Sequence, residues 1–358
     1  MTTETRDSHP YHMHDAILAQ PEAFVRAIEH NRDAVDELAS RVASCERIFL
    51  AGIGTSHHAS LVGEHLMRTY GGPDVRAVHS FDLALYGPEL RQEDCLVAVS
   101  HRGAKRYTAL ALEKAMEVGC PTALVTGEGG SGEGRADAVF QTVAQESSPA
   151  HTVSYTSAVA VLALLAGRLG YHRTGSATLP DGLLREELPE ALRAALGKEE
   201  EVSTLAHEHV GRRRIWLIGG GPSAVTATET ALKIKETSYL QAEGMPTETM
   251  LHGPFQCVEA DDLFVLIAPS GAARDRTLEV AELVEEVGAT YLILGDHKIE
   301  SRPTALNMPE VPEPFSALTC LVPLQLFAYH LALARGTNPD SFRGDDPRFA
   351  RADVSGRL

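Results

Sequence analysis

Basic residues, cysteines and long apolar runs are all scarce in this 358-residue sequence. The 32 lysines and arginines are outnumbered by 49 aspartates and glutamates, so the formal net charge is −17. An acidic chain of this kind is a poor match for nucleic acid as its main partner. Solubility alone is a simpler explanation of the acidic composition. We expect a small molecule as the partner.

The few cysteines are scattered through the sequence. They form no CxxC pair and no close cluster with histidines, so they predict neither a disulfide framework nor a metal site. Free thiols fit a reducing compartment, and a cytoplasmic location without a metal or organic cofactor is expected. The five are Cys45, Cys95, Cys120, Cys257 and Cys320.

Apolar runs long enough for a membrane are not obvious in the sequence. The longest, Ala158 to Ala166, is much shorter than the roughly 20 residues that cross a bilayer. The N-terminal stretch MTTETRDSHPYHMHD is polar and lacks the apolar core of a signal peptide. No membrane partner is therefore expected.

The chain contains an internal repeat. RIFLAGIGTS at residues 47–56 aligns with RIWLIGGGPS at residues 214–223, an offset of 167 residues (214 minus 47). The same offset pairs DCLVAV at 94–99 with DDLFVL at 261–266. Short apolar runs followed by glycine-rich turns and amphipathic stretches are typical of βαβ units, so the repeat predicts two tandem α/β modules.

The repeat and the hydrophobic periodicity give expected element and domain boundaries. We expect helices near 56–70, 105–118, 152–168, 223–243, 273–287 and 316–335, with one or two more between 183 and 209. Strands are expected near 47–52, 75–79, 95–100, 122–127, 138–143, 214–219, 263–268, 290–295 and 304–307. The expected domains are a helical lead-in (1–46), module one (47–170), a linker with helices (171–212), module two (213–336) and an irregular tail (337–358).

A helix in module two carries a row of charged residues. Glu229, Lys233 and Glu236 follow i, i+4, i+7 spacing, which places them on one helix face. His252 stands in a His-Gly-Pro turn a short distance later. A carboxylate and an imidazole so placed can move protons on a small substrate. The alternative is a solvated, salt-bridged helix face and a loop histidine.

Two turns in module one offer groups for an anion. Thr55 and Ser56 open a helix after the glycines of GIG, where free backbone N–H groups point outward; a helix cap and tight turn is the simpler alternative. The second turn follows the strand at 95–100 and favours an anion through cationic side chains, unless these are simply solvated. Its candidate residues are Ser100, His101, Arg102 and Lys105.

The motif ALKIKE, the following Ala-Glu and the His-Gly-Pro turn resemble the sugar isomerase (SIS) family. The resemblance is to the isomerase half of glucosamine-6-phosphate synthases and to fructosamine-phosphate deglycases. It implies two parallel sheets, each flanked by helices, and a ligand site at the carboxyl ends of the strands. It also implies that Glu236 is the base, that Lys233 stabilises enediolate charge, and that His252 assists ring opening from a partner subunit.

The resemblance extends to two further segments. Residues 146–156, ESSPAHTVSYT, match a family segment that contacts the sugar, and this implies substrate roles for Pro149, Ala150 and Thr152. Residues 346–351, DPRFAR, resemble the family's C-terminal Pro-Arg-Asn-Leu-Ala-Lys, which implies roles for Ala350 and Arg351. Arginine at 351 cannot form the imine that the family's lysine forms.

The resemblance implies proton transfer at C1/C2 of an anionic sugar or amino sugar, by an isomerase or a deaminase in a homodimer with shared sites. In the anion turn, the family's Ser-Gln-Ser-Gly-x-Thr becomes Ser-His-Arg-Gly-Ala-Lys, so the anionic group that is bound stays open. Fructosamine-phosphate deglycation remains an alternative because it uses the same proton chemistry. A non-catalytic sugar-phosphate sensor is a second alternative, from a different functional class.

Overall fold

The computed structural model describes residues 6–72, 74–103, 105–131, 134–296 and 305–352. Their elements include ten strands in two parallel sheets. The strands are β1 (Arg47–Gly52), β2 (Asp74–His79), β3 (Asp94–Val99), β4 (Thr122–Glu128), β5 (Ala138–Ala144), β6 (Ile215–Gly219), β7 (Ala242–Pro246), β8 (Leu263–Ile267), β9 (Thr290–Gly295) and β10 (Ala305–Asn307).

Helices precede, connect and follow the strands. They are α1 (His12–Leu18), α2 (Gln20–Val42), α3 (Thr55–Leu66), α4 (Ser80–Leu85), α5 (Arg106–Glu117), α6 (Val153–Thr174), α7 (Leu188–Leu196), α8 (Glu199–Glu208), α9 (Pro222–Ser238), α10 (Thr247–Leu251), α11 (Arg274–Glu286), α12 (Glu313–Thr319), α13 (Leu321–Ala334) and α14 (Pro347–Ala352). Short π-helical turns at Met67–Gly71 and Leu183–Glu187 adjoin α3 and α7, and a 3₁₀ turn covers Pro254–Cys257.

The two sheets have the same topology. Their strand orders are β2-β1-β3-β4-β5 and β7-β6-β8-β9-β10, and every recorded pairing is parallel. The inner strands β1, β3, β6 and β8 are mainly apolar and buried because parallel sheets of this kind are covered on both faces. The edge strand β2 (DVRAVH) is partly exposed. In β6, Ile215 and Leu217 join one apolar cluster while Trp216 and Ile218 join another. The predicted α/β class with two helix-flanked parallel sheets is confirmed.

The repeat is also visible in backbone geometry. Gly54, between β1 and α3, has φ 58° and ψ −130°, and Gly221, between β6 and α9, has φ 54° and ψ −126°. Residues with a side chain rarely adopt this conformation. The equivalent position in each copy therefore requires glycine for the same turn from strand to helix.

The chain divides into two compact units, each built around one sheet. The first-sheet unit contains Ala19–Glu146, His151–Pro189 and the tail from Arg343 onward. The second-sheet unit contains the residues up to Leu18, Ser147–Ala150 and Glu190–Phe342. The N-terminal segment thus belongs to the second-sheet unit although the chain enters the first-sheet unit directly after it. The C-terminal tail belongs to the first-sheet unit although it follows the second-sheet unit in the sequence.

One predicted helix is shorter than the sequence pattern indicated. The helix expected at 223–243 ends at Ser238, and Tyr239 follows in a left-handed conformation with φ 58°. Residues 242–246 then form β7, in which Glu243 pairs with Trp216 of β6. The sequence of this segment, AEGMP, has few residues that favour strands, so its strand conformation comes from pairing with β6. The tail, expected to be irregular, contains the short helix α14.

Two helical stretches, Val153–Thr174 and Glu313–Ala334, are long and apolar enough to span a membrane by length and composition alone. In each, 89% of the most apolar 18-residue window is buried inside the protein. Such burial is typical of the core helices of a globular unit. The apolar run at 158–166 thus lies in a longer helix than the sequence pattern predicted.

Candidate active site

The loops after β1 and β3 lie at the same edge of the first sheet. These strands are direct neighbours, and the strand order reverses direction between them. In open parallel sheets, ligands bind outside the carboxyl ends of the strands at such a reversal point. The structure thereby brings the predicted residues Thr55 and Ser56 to the same sheet edge as the loop that begins at Ser100.

Ser100 has a buried hydroxyl without a hydrogen-bond partner. The residue is 2% exposed, and its Oγ contacts no acceptor or donor among the described residues. Its backbone is fixed, because its N–H donates to the Val125 carbonyl at 2.9 Å and its carbonyl accepts from the Gly103 N–H at 2.9 Å. A buried polar atom without a partner requires an explanation, and a bound water, ion or ligand is one.

Positive charge surrounds the same turn. Arg102 is exposed, while Lys105 is half-buried immediately before α5. Burial and then the Arg102 charge lower the pKa of Lys105 from its usual value. The Arg102 carbonyl accepts hydrogen bonds from the N–H and the hydroxyl of Ser131. The cations therefore extend from an anchored loop, and an anion placed between them would relieve their mutual repulsion.

His101 anchors the turn to two neighbouring loops. Its carbonyl accepts from the Gly127 N–H at 2.9 Å, the Thr126 hydroxyl at 3.2 Å and the Gln145 amide at 3.0 Å. Its ring Nε2 accepts from the Glu146 N–H at 3.0 Å. Burial, followed by nearby positive charge, lowers the pKa of His101 to about 4, so the ring is neutral at neutral pH.

Glu146 caps the N-terminus of α6. Its carboxylate accepts from the N–H groups of Thr152 (2.7 Å), Val153 (3.2 Å) and Ser154 (3.2 Å), as well as from the hydroxyls of Thr152 and Ser154. The His151 Nδ1 donates to it at 3.2 Å. Burial opposes ionisation, but these donors outweigh it and hold the pKa of Glu146 at about 2.

The side chains of His101, Glu146 and His151 lie close enough together to suggest a metal site, with ligand atoms within 4.8 Å of one another. The hydrogen bonds argue otherwise. Both Glu146 oxygens already accept several donors, and the His101 Nε2 accepts the Glu146 N–H. A metal ion would have to displace bonds that hold the α6 N-terminus, so the group fits a structural network better than a cation site.

Pro149 and Ala150 belong to the compact unit of the second sheet. Ala150 is fully buried in an apolar cluster with Ile215 and Leu217 of β6. Its N–H donates to the Ser148 hydroxyl at 3.3 Å. Its methyl group therefore serves the core, and its contact with a substrate stays a prediction.

The predicted charged face of α9 exists, and it is largely buried. The Lys233 Nζ donates to the Glu236 Oε2 at 2.6 Å and lies 3.4 Å from the Glu229 Oε1. The Lys233 and Glu229 side chains are 1% and 0% exposed, whereas that of Glu236 is 22% exposed. The alternative of a solvated, salt-bridged face is wrong about the solvation of Glu229 and Lys233, although the ion pairs that it expects are present.

His252 lies at the end of α10 and is highly exposed. Its Nε2 is 3.2 Å from the Glu248 Oε2, and the other Glu248 oxygen accepts from the Arg276 Nε at 2.6 Å. The Arg276 hydrogen bond lowers the pKa of Glu248 below its usual value. His252 is thus presented on the surface of its unit beside a fixed carboxylate, and its catalytic role stays a prediction.

The remaining candidates lie on α14. Ala350 and Arg351 are exposed there, and the Ala350 N–H donates to the Asp346 carbonyl at 3.0 Å. This helix is grouped with the first-sheet unit. The structure therefore places the tail candidates in the same unit as the Ser100 turn.

Sequence reasoning overlooked Glu146 and His151 as a hydrogen-bonded pair. The segment that contains them was recognised, but roles were given only to Pro149, Ala150 and Thr152. A glutamate six residues before a threonine that begins an apolar helix was the available signal. That spacing exceeds the usual capping box, so local rules do not detect it.

Residues 41–168 and 210–335 each match the SIS domain. The chain belongs to the SIS-domain family. The resemblance found in the sequence is thereby confirmed, and the two matches coincide with the two sheets.

Curated relatives of this SIS protein include two archaeal glutamine–fructose-6-phosphate aminotransferases. The Pyrococcus horikoshii protein is 33% identical over 331 residues, which cover 90% of this chain and 55% of the relative. The Thermococcus kodakarensis protein is 34% identical over 347 residues, covering 94% and 57%. The chain spans about half the length of the curated relatives it matches.

Solved SIS structures share the fold at low sequence identity. The C-terminal domain of glucosamine-fructose-6-phosphate aminotransferase from Francisella tularensis superposes with a TM-score of 0.85 at 22% identity, covering 94% of this chain and 99% of that one. Tagatose-6-phosphate ketose/aldose isomerase from Escherichia coli gives 0.78 at 21% identity, covering 94% and 97%. These likenesses establish the architecture alone.

Proposed function

We propose that this SIS protein is an isomerase or deaminase that moves a proton between C1 and C2 of an anionic sugar or amino sugar. The observation that carries the proposal is the buried lysine–glutamate group of α9. Lys233 sits between Glu229 and Glu236, and only the Glu236 carboxylate has an appreciable exposed fraction. A carboxylate held in one place at the edge of a buried network is suited to act as a general base.

Glu236 is the proposed base, and Lys233 supplies the positive charge that stabilises an enediolate. His252 is proposed to assist ring opening or to protonate the leaving group. Proton transfer of this kind uses side chains alone, so the proposal includes no metal or organic cofactor. The names of relatives that act on fructose 6-phosphate and tagatose 6-phosphate support a sugar phosphate as substrate.

The anionic group is proposed to bind at the Ser100 turn. Three features at the carboxyl edge of the first sheet support this: the unsatisfied Ser100 hydroxyl, the cations Arg102 and Lys105, and the first turn of α3 at Thr55 and Ser56. Thr152 directly precedes α6, at the end of the loop that follows β5. A cytoplasmic homodimer, with His252 and the tail residues Ala350 and Arg351 completing the site, belongs to the same proposal.

Glu236→Gln tests the proposal. The substitution keeps the shape of the side chain and removes its basicity, so turnover should be lost while ligand affinity stays within about tenfold. Turnover and calorimetric binding should be measured on a panel of sugar phosphates with and without an amine at C1 or C2. Near-normal turnover in the variant would remove Glu236 from the mechanism.

The same panel separates the alternatives. Turnover restricted to substrates with an amine on C1 would favour a fructosamine-phosphate deglycase, and turnover of those with an amine on C2 a deaminase. Tight binding by the wild-type protein without turnover of any panel member would support a sugar-phosphate sensor and contradict the proposed enzyme.

A further inference from the structure

His151 belongs to the first-sheet unit and contacts both Glu146 and His101 there. It follows the loop after β5 and directly precedes Thr152, the residue before α6. Its ring packs edge-to-face against His101, with 5.1 Å between the ring centroids. Because His101 stands between Ser100 and Arg102, the His151 imidazole is adjacent to the turn proposed to bind the anion.

Glu146 fixes which nitrogen of His151 carries a proton. The His151 Nδ1 lies 3.2 Å from the Glu146 Oε2 and 3.4 Å from the Ser154 hydroxyl. The Glu146 side chain is 3% exposed and its pKa is about 2, so at neutral pH it only accepts hydrogen bonds. Nδ1 must therefore donate, and Nε2 is the nitrogen left for another group, as an acceptor when it carries no proton.

The neighbouring His101 is not equivalent. Its Nε2 accepts the Glu146 N–H, and its Nδ1 is buried. The His151 side chain, by contrast, is 26% exposed. Of the two imidazoles, His101 is part of the scaffold, whereas His151 is partly exposed.

We propose that His151 contacts the substrate directly and that its Nε2 accepts a hydrogen bond from a hydroxyl of the sugar. The inference rests on the proposed function, since it assumes that the sugar's anionic group occupies the Ser100 turn. Arg102 and Lys105 recognise the charge, while His151 recognises the carbohydrate. The His151–Glu146 pair therefore determines specificity for a sugar phosphate over a bare anion.

Two probes separate these roles. Fructose 6-phosphate carries both hydroxyls and an anion, whereas inorganic phosphate carries the anion alone. His151→Ser should weaken fructose 6-phosphate binding roughly threefold to tenfold, the range of one neutral hydrogen bond. It should change the affinity for inorganic phosphate less than twofold. Calorimetric titration of the full chain measures both.

Variants on the same helix and turn serve as controls. His172→Ser removes a histidine–carboxylate pair on α6, in which Nε2 lies 3.0 Å from an oxygen of Asp36, and should leave both affinities unchanged. His151→Gln retains a polar group at similar reach and should recover part of the loss. Arg102→Ala should weaken the binding of both probes about tenfold.

A spectroscopic measurement reports the contact itself. In ¹⁵N-histidine spectra of the wild-type protein, the signals that disappear in His151→Ser identify the His151 ring. They should show a proton on Nδ1 and none on Nε2. Addition of fructose 6-phosphate should shift that Nε2 signal and leave His172 unmoved. A purely structural role of His151 predicts no such shift.

The outcomes distinguish the inference from the function on which it rests. If Arg102→Ala weakens both probes while His151→Ser weakens neither, the sugar-contact role of His151 is overturned and the anion site stands. If His151→Ser weakens both probes equally, the residue acts on the fold of the turn, and the inference is also overturned. If the wild-type protein binds neither probe, the anion site and the inference fail together.

Discussion

At the residue scale, burial makes the charged face of α9 dependent on its ion pairs. Lys233 and Glu229 are both fully buried, and Lys233 contacts Glu236 as well. A buried charge is tolerated only when its partners compensate for lost hydration. Each member of this group therefore depends on the other two, both for stability and for the proton transfer proposed here.

Lys233→Met should destabilise the protein strongly. Removing one partner of a buried ion pair leaves its carboxylates uncompensated, at a cost of about 3–5 kcal/mol in the free energy of unfolding. Lys235→Met is the matched control, because Lys235 lies two residues away on the same helix and is exposed; its effect should stay within about 0.5 kcal/mol. Urea unfolding at neutral pH measures both, and equal small changes would contradict a compensating role for Lys233.

At the element scale, the ends of helices carry the functional groups. The turn before α3 depends on Gly54, α5 follows the Ser100 turn, and the N-terminus of α6 is capped by Glu146. Exposed N–H groups at such ends bind either an anion or a carboxylate of the chain itself. At α6 the chain supplies its own carboxylate, whereas the turns before α3 and α5 are the ones proposed here to bind the anionic group of the substrate.

Glu146→Gln should lower stability in a pH-dependent manner. The pKa of Glu146 is about 2 in the folded protein, below its value of 4.5 in an unfolded chain. The ionised carboxylate therefore stabilises the fold fully above pH 4.5, and this contribution is lost as the pH falls toward 2. Its size at neutral pH is about 3 kcal/mol by this linkage.

Denaturant unfolding at pH 7 and at pH 3 measures that difference. The difference in the free energy of unfolding between the wild type and Glu146→Gln should be large at pH 7 and smaller at pH 3. Glu117→Gln, an exposed substitution near the end of α5, should show no comparable gap. A gap that does not change with pH would show that the cap works through shape alone.

The paired glycines test the proposed difference between the two turns. Gly54→Ala and Gly221→Ala each place a side chain in a backbone conformation suited to glycine, although no atom lies within 4 Å of the added Cβ. Both should destabilise the fold by a similar 1–3 kcal/mol through strain. Only Gly54→Ala should also weaken phosphate binding, as measured by calorimetry, because only that turn adjoins the proposed anion site. Equal losses of phosphate affinity would contradict this assignment.

At the scale of the whole molecule, two copies of one fold have acquired different side chains. The first copy has Thr55 and Ser56 after its glycine turn, and the second has Pro222 and Ser223. The second copy carries the buried group of α9, which includes Lys233 and Glu236. We infer that one copy specialises in binding and the other in proton transfer.

Subunit mixing tests the proposed shared site of a homodimer. Glu236→Gln and His252→Ala homodimers should each be inactive. If the two residues act together from different chains, exchange of subunits should restore part of the activity, because a mixed dimer retains one intact site. Turnover after verified exchange provides the measurement, and no recovery would count against a site shared between subunits.

The sequence by itself determined the architecture. The 167-residue repeat and the apolar strand runs predict two parallel modules, since hydrophobic period and glycine turns are local signals. The helical row of Glu229, Lys233 and Glu236 was also readable, because helix geometry fixes which residues share a face.

Only the tertiary structure decided which of those residues are buried and which groups they contact. The burial of Lys233, the pairing that makes residues 242–246 a strand, and the contact between His101 and Glu146 join segments separated in the chain. The burial of a side chain and its hydrogen-bond partners depend on packing between elements, which no local pattern contains. The hydrogen bond between His151 and Glu146 likewise became visible only in the structure.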